Sequence, residues 1–227
     1  MKTNGKDFPI QDESLDTEEP ILLKDSDKRS QLKVVEKEKA NQSIWLEHAS
    51  FRIVLISMFS ALAIVLGYML AYIPNIEIFT LSIFLSGFIL GRKEGIIVGC
   101  FSAFIFCFFN PIGPSPLPLF IYQLFHYSFT GFLGGVLAKY LKNKPYFKPD
   151  EDLYIFPVMA LFGVIGAIIT ICFQVFSSLI YVLFFFESFI PYFLTGILFT
   201  VIHIVGNTLG FIYILPGLIQ LINKMLH

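Results

Sequence analysis

Polar side chains recur at helical spacing inside otherwise apolar stretches of this chain. Gln123, His126 and Tyr127 are spaced i, i+3 and i+4, and His203 precedes Asn207 by four residues. Because residues three and four apart share one face of an α-helix, each group predicts a polar patch on its helix. A buried polar group must find a hydrogen-bonding partner, so two interpretations stay open. The patches either hold helices together or bind a polar small molecule.

Other polar residues lie in or near the predicted connections between apolar stretches. Asn110 opens a connection with four prolines and a glycine (110–118), which predicts a stiff, helix-free loop over the site. The remaining members of this group are Asn75, Glu77 and Glu187, and the fifth apolar stretch itself carries Gln174. Hydrogen-bonding side chains under a stiff loop predict a pocket for a polar small molecule arriving from outside. Glu77 and Glu187 could instead simply face water at the outer surface.

Catalytic signatures are weak in this sequence. It contains no H-E-x-x-H motif, no P-loop and no glycine-flanked serine, and no pair of its three cysteines has C-x-x-C spacing. We therefore expect no enzymatic activity and no cofactor or resident metal. The alternative interpretation is a membrane enzyme or metal-binding protein that uses His126, His203, Glu77 and Glu187.

The distribution of charge predicts a membrane protein with a polar tail. The chain has 227 residues, of which 56% are hydrophobic and 15% are charged, whereas about 25% charged residues is usual in soluble domains. Residues 1–52 hold nine of the 16 Lys and Arg and 11 of the 17 Asp and Glu. We predict a disordered cytosolic tail over 1–50 and an all-α membrane domain over 51–227. The net charge of −1 gives no reason to expect nucleic-acid binding.

Six transmembrane helices are predicted from the apolar stretches and their Pro and Gly boundaries. They cover residues 51–72, 79–91, 95–109, 118–141, 153–186 and 190–222. Lys and Arg occur in the tail, in the gaps after the second and fourth helices, and at the C-terminus, but not in the other gaps. Since basic loops favour the cytoplasm, both termini are predicted to lie inside.

Small residues four apart predict close approach between helices in lipid. Gly95 and Gly99 form such a pair in the third helix, and Gly131 and Gly135 form one in the fourth. The first helix has two candidate pairs, Ser57 with Ala61 and Ala63 with Gly67.

Four stretches stand in order along the chain: Pro74-Asn75-Ile-Glu77-Ile-Phe-Thr80, Gly91-Arg92-Lys93-Glu94-Gly95, Phe109-Asn110-Pro111-Ile-Gly113-Pro114, and His203-x-x-x-Asn207 followed by Pro216. With these stretches, residues 52–222 resemble the substrate-binding S component of an energy-coupling factor (ECF) transporter, a family of prokaryotic vitamin-uptake systems. The long charged tail and the serine at position 57 depart from the family pattern, which often has Ala-x-x-x-Ala on the first helix.

The resemblance implies a six-helix protein in the cytoplasmic membrane of a prokaryote. Such proteins capture a vitamin near the outer face and dock on a transmembrane scaffold subunit that carries two cytosolic ATPases. The implied docking contacts are the small residues Ser57, Ala61, Ala63 and Gly67. The implied pocket residues are Asn75, Glu77, Asn110, Gln123, Tyr127, Gln174, His203 and Asn207, to which the polar patch on the fourth helix adds His126. Tyr122, Phe125 and Phe173 are candidates for stacking on a planar ring.

Overall fold

The structure is a computed structural model that describes residues 48–71, 73, 78–110, 113–185 and 188–226. Most of the predicted tail (1–47) lies outside the described residues. So do Asn75, Glu77 and Glu187 among the residues singled out above.

Every regular element in the described part of the chain is a helix, as the sequence predicts. The helices are α1 (Ala49–Leu70), α2 (Phe79–Leu90), α3 (Arg92–Phe108), α4 (Leu117–Leu141), α5 (Phe156–Phe185), α6 (Phe189–Thr195), α7 (Ile197–Leu209) and α8 (Leu215–Leu226), with a π-helical turn at Gly210–Ile214 between α7 and α8. The first five agree with the first five predicted helices to within about three residues at each end.

The sixth predicted helix, over residues 190–222, is not one continuous α-helix. It is divided at Gly196 into α6 and α7, and the π-helical turn then separates α7 from α8. Pro216 explains the second irregularity, because it has no N–H to donate to the carbonyl of Ile212 and its ring crowds that carbonyl. The N–H of Leu215 bonds to the carbonyl of Gly210, five residues back, which widens the turn.

Within the described ranges, three helical segments are long and apolar enough to cross a bilayer. They are Ala49–Leu70, Phe156–Phe185 and Ile197–Met225, with 22, 30 and 29 residues. The 12-residue α2 is only about 18 Å long at ~1.5 Å per residue, which is short of the ~30 Å hydrocarbon core. Six membrane spans therefore remain a prediction.

Glycines bring α2, α3 and α4 into backbone contact. A Cβ atom added to Gly131 would overlap the carbonyl oxygen of Gly95, and one added to Gly87 would overlap the carbonyl oxygen of Gly131. Gly99 lies equally close to the carbonyl group of Tyr127. The close approach predicted from the paired glycines of α3 and α4 is confirmed, and it fixes the position of α4.

α1 lies beside α3 and runs in the same direction. Near their starts, Arg52 forms an ion pair with Glu94. Near their ends, the hydroxyl of Tyr68 donates to the carbonyl of Ile105 at 3.0 Å. Both helices therefore begin at the same end of the domain.

The connection between α4 and α5 closes that same end. Its Phe147 is buried, with its ring centroid 5.8 Å from that of Phe88 at the end of α2. Two side chains of α8 also bond to this connection: Gln220 Nε2 donates to the carbonyl of Glu151 at 2.5 Å, and Asn223 Nδ2 donates to Asp150 Oδ1 at 2.7 Å. The starts of α1, α3 and α5 and the ends of α2, α4 and α8 thus lie together.

Candidate functional site

One face of α5 carries a row of polar and aromatic side chains. Thr170, Phe173, Gln174 and Ser177 are spaced i, i+3, i+4 and i+7, so they share that face. Thr170 is 1% exposed, whereas the other three are half-buried. This row is the part of α5 around which the site is built.

Asn207 of α7 is hydrogen-bonded to α5 through Thr170. Its Nδ2 atom lies 2.9 Å from Thr170 Oγ1 and 3.2 Å from His203 Nε2. The Thr170 hydroxyl donates its own hydrogen bond to the carbonyl of Gly166 at 2.8 Å, so its oxygen is available as an acceptor. The two hydrogens of the Asn207 amide can therefore point to Thr170 Oγ1 and to His203 Nε2. Thr170, His203 and Asn207 are all buried.

The Phe173 ring lies between the two histidines. Its centroid is 5.0 Å from that of His126 on α4 and 6.0 Å from that of His203 on α7. Tyr127 and Tyr122, also on α4, lie 5.7 and 6.2 Å from the same ring. We call these five rings, from α4, α5 and α7, the aromatic cluster.

Tyr122 is the member of the aromatic cluster nearest the start of α4, and Gln123 follows it in the chain. The hydroxyl of Tyr122 donates to the carbonyl of Cys172 at 3.2 Å and lies 3.4 Å from His126 Nδ1. Gln123 Oε1 is buried and accepts no hydrogen bond from any residue that the structure describes. A buried carbonyl of this kind is an open acceptor for a ligand or for water.

The structure brings most of the described candidates together. His126, Tyr127 and His203 surround Phe173, Asn207 bonds to the same helix one turn away, and Gln174 adjoins Phe173 on α5. Asn110 is half-buried at the end of α3, where its backbone carbonyl accepts from Gly113 at 2.9 Å and closes a turn.

Two findings go beyond the sequence-based expectations. Thr170 was not a candidate, although it lies four residues before Gln174 and three before Phe173 on an apolar helix. Of the three aromatic candidates, Tyr122 and Phe173 belong to the cluster, but Phe125 is 70% exposed and stacks on Phe129 instead. Phe125 follows Tyr122 by three residues, a spacing that predicts a shared helix face, so this pattern gave no reason to exclude Phe125.

The site region is uncharged within the described part of the chain. α5, α6 and α7 contain no Asp, Glu, Lys or Arg, and the only such residue in α4 is Lys139 in its last turn. The described residues also contain no group of three or more His, Cys, Asp or Glu that could hold a metal ion. The two histidines instead share contacts with one phenylalanine ring.

The two small-residue pairs of α1 lie on different sides of that helix. Ala63 is fully buried, and a Cβ atom added to Gly67 would meet the rings of Phe106 and Phe79. Ser57 and Ala61 are exposed, and the Ser57 hydroxyl bonds back to the carbonyl of Ile53 at 3.0 Å. Ala63 and Gly67 therefore pack inside the domain, whereas Ser57 and Ala61 are accessible to a partner.

Comparison with known families gives one match over most of the chain. A family model described as "ECF transporter, substrate-specific component" matches residues 51–226. No curated protein and no solved structure matches the chain.

Proposed function

The chain belongs to the substrate-specific components of ECF transporters, and from that premise we propose that it captures a vitamin or related micronutrient outside the cell and delivers it inward. Members of this family are membrane-embedded substrate-binding subunits of prokaryotic transporters rather than enzymes. We assign the energy for uptake to a separate transmembrane scaffold subunit carrying two cytosolic ATPase subunits.

We propose the aromatic cluster and its polar neighbours as the binding site. The observation that supports this location most is the contact of Phe173 with His126 and His203, because it joins three helices around polar side chains at one place. Ligand sites in proteins combine apolar and aromatic walls with a few hydrogen-bonding groups in this way. The full proposed set is Asn75, Glu77, Asn110, Gln123, His126, Tyr127, Gln174, His203 and Asn207.

The direction of uptake follows from where α4 carries its charge. Tyr122 and Gln123 lie in the first two turns of α4, whereas Lys139 lies in its last turn and Lys142, Lys144 and Lys148 follow it. Basic segments next to membrane helices favour the cytoplasmic side. We therefore propose that the site opens outward and that both chain termini lie inside the cell.

For docking on the scaffold we propose the exposed pair Ser57 and Ala61. Small side chains allow a second helix to approach the α1 backbone closely, which is the main source of helix association in lipid. The Ser57 hydroxyl is satisfied within its own helix, so a partner need not hydrogen-bond to it. Ala63 and Gly67 face α3 and α2.

Ligand binding by the purified full chain tests the proposal. Protein in detergent is screened against a vitamin panel by thermal shift, and co-purifying small molecules are identified by mass spectrometry. We expect one compound to raise Tm, and we expect Phe173→Ala to weaken its binding by roughly tenfold or more, since one lost stacking contact costs ~1–3 kcal/mol.

Phe125→Ala is the matched control for that experiment. It removes the same ring from an exposed position of α4 outside the aromatic cluster, so ligand affinity should be unchanged. Equal losses of ligand affinity in Phe173→Ala and Phe125→Ala would contradict the proposal that the aromatic cluster is the binding site.

A further inference from the structure

We infer that the part of the substrate held by the aromatic cluster is an uncharged, planar nitrogen heterocycle with neighbouring hydrogen-bond donors and acceptors on one edge. This inference rests on the proposed function and narrows it to a chemical class. Charge, ring faces and one unused acceptor each support it.

The first argument concerns charge. No described residue of α5, α6 or α7 is acidic or basic, and Lys139 of α4 lies about four turns from Gln123. An ionised group held against these helices would have no opposite charge beside it among the described residues, and that desolvation is costly. Glu77 of the proposed set lies outside the described residues, and we assign it no contact with this ring. The cluster therefore favours a neutral ring over an ammonium, thiazolium or carboxylate group.

The second argument concerns shape. The rings of Tyr122 and Phe173 lie 27° from parallel, and both remain only half-buried although other rings surround them. Part of each of these two residues is thus left uncovered by protein. Aromatic faces gain most from offset or edge contacts with another flat ring, so a planar ligand uses these surfaces better than an aliphatic one.

The third argument concerns hydrogen bonds. Gln123 Oε1 is buried without a donor among the described residues, beside Tyr122 in the chain and one turn before Tyr127. A carboxamide offers an acceptor and a donor side by side, and amide side chains use that pair to bind a heterocycle edge bidentately. The Asn207 amide is already engaged with Thr170 and His203, so Gln123 is the residue we assign to the ring edge.

The experiment compares affinities of the full chain in detergent for three probes. Riboflavin offers a neutral, flat ring with an imide edge, 1-methylnicotinamide has a single cationic ring, and biotin is an anionic compound without an aromatic ring. We expect riboflavin, or another neutral heteroaromatic compound such as guanine, to bind at least about tenfold more tightly than 1-methylnicotinamide or biotin. Tighter binding of 1-methylnicotinamide or biotin would overturn this inference but leave the proposed function standing.

Variants at Gln123 test the assigned contact. Gln123→Ala should weaken binding of the neutral heterocycle by roughly 10- to 100-fold, because a buried hydrogen bond to the ligand is lost. Gln123→Glu keeps the side-chain shape, but in its ionised form the side chain has no hydrogen to donate. It should therefore weaken binding of the neutral ring and reduce the affinity advantage of that ring over 1-methylnicotinamide. Unchanged affinity in both variants would overturn the assignment.

A control variant and the behaviour of the native chain distinguish failure of this inference from failure of the proposed function. Gln220→Ala removes an amide that bonds to the carbonyl of Glu151 at the opposite end of the domain, and it should leave all three affinities unchanged. If no probe binds and no small molecule co-purifies with the native chain, the proposed function fails and this inference fails with it. If a variant at Gln123 does not fold, competition of riboflavin by guanine and by 1-methylnicotinamide on the native chain still decides between neutral and charged rings.

Discussion

Asn207 Nδ2 lies 2.9 Å from Thr170 Oγ1, and this bond joins α7 to α5 at the buried edge of the aromatic cluster. The amide reaches His203 as well, so the bond fixes the orientation of a histidine that faces Phe173. A hydrogen bond at this position therefore affects both the packing of two helices and the geometry of the proposed site.

Thr170→Val should destabilise the domain while preserving side-chain volume. The substitution leaves the Asn207 amide with one acceptor fewer in a buried place, which costs about 1 kcal/mol, near the usual value for such bonds between membrane helices. We expect a decrease in Tm of a few degrees in detergent. Thr208→Val is the control, since among the described residues Thr208 bonds to the carbonyl of Ile204 in its own helix and to no other helix. Equal Tm values for the two variants would contradict a role for the Asn207–Thr170 bond.

Gly131→Ala should disrupt the packing of α4 against α3. The added methyl group would overlap the carbonyl oxygen of Gly95, and backbone atoms cannot move aside as a flexible side chain can. We expect a loss of ~1–3 kcal/mol or more, seen as a lower Tm and a smaller monodisperse fraction on size exclusion. Gly196→Ala is the control, because a Cβ atom there comes no closer than 3.8 Å to another atom. A fully stable Gly131→Ala protein would show that the three helices are not in backbone contact.

Ala61→Leu should prevent assembly with the scaffold subunit and leave ligand binding intact. Ala61 is exposed on α1, so a larger side chain is accommodated in the isolated subunit but separates α1 from a partner helix. Co-purification with the scaffold and ATPase subunits measures the effect. Ala63→Leu provides the contrast, since Ala63 is fully buried and its enlargement should lower the Tm of the isolated subunit. Normal recovery of the complex with Ala61→Leu would rule out this docking contact.

Accessibility labelling tests the proposed orientation. A single cysteine is introduced at Lys144, in a chain whose three native cysteines are replaced by serine, and a membrane-impermeant maleimide is added to whole cells. We expect no labelling until the membrane is opened, because basic connections favour the cytoplasm. A cysteine at Ser188, before α6, should be labelled from outside. Labelling of position 144 in intact cells would contradict the proposed orientation and indicate the opposite one.

The first five helices could be predicted well because their ends carry strong local signals. Proline, glycine or charged residues follow or precede each of them, as at Gly91 and Pro116. Gly196 and Pro216 mark the interruption and the π-helical turn, but glycines also lie inside continuous helices, as Gly163 does in α5, so the residue type alone did not predict either irregularity. Apolar residues continue on both sides of each irregularity. Their apolar character predicts a membrane location but does not predict where the helix geometry changes.

The proposed site could be predicted only in part. His203 and Asn207 stand out because polar residues are rare in this region, and their helical spacing correctly placed them side by side. Phe173 is one of 27 phenylalanines, and only its contacts in the folded chain distinguish it. Thr170 was missed because a threonine in an apolar helix ordinarily satisfies its hydroxyl within its own helix, as Thr170 also does with Gly166.

The π-helical turn sets the rotational phase between the two halves of the last helical segment. Each residue of an α-helix advances ~100° around the axis, so one residue gained or lost at Gly210–Ile214 would rotate α7 against α8 by roughly that angle. His203 and Asn207 would then turn away from α5, or Gln220 and Asn223 would turn away from the α4–α5 connection. The length of this turn is therefore what allows one segment to meet its contacts at both ends of the domain.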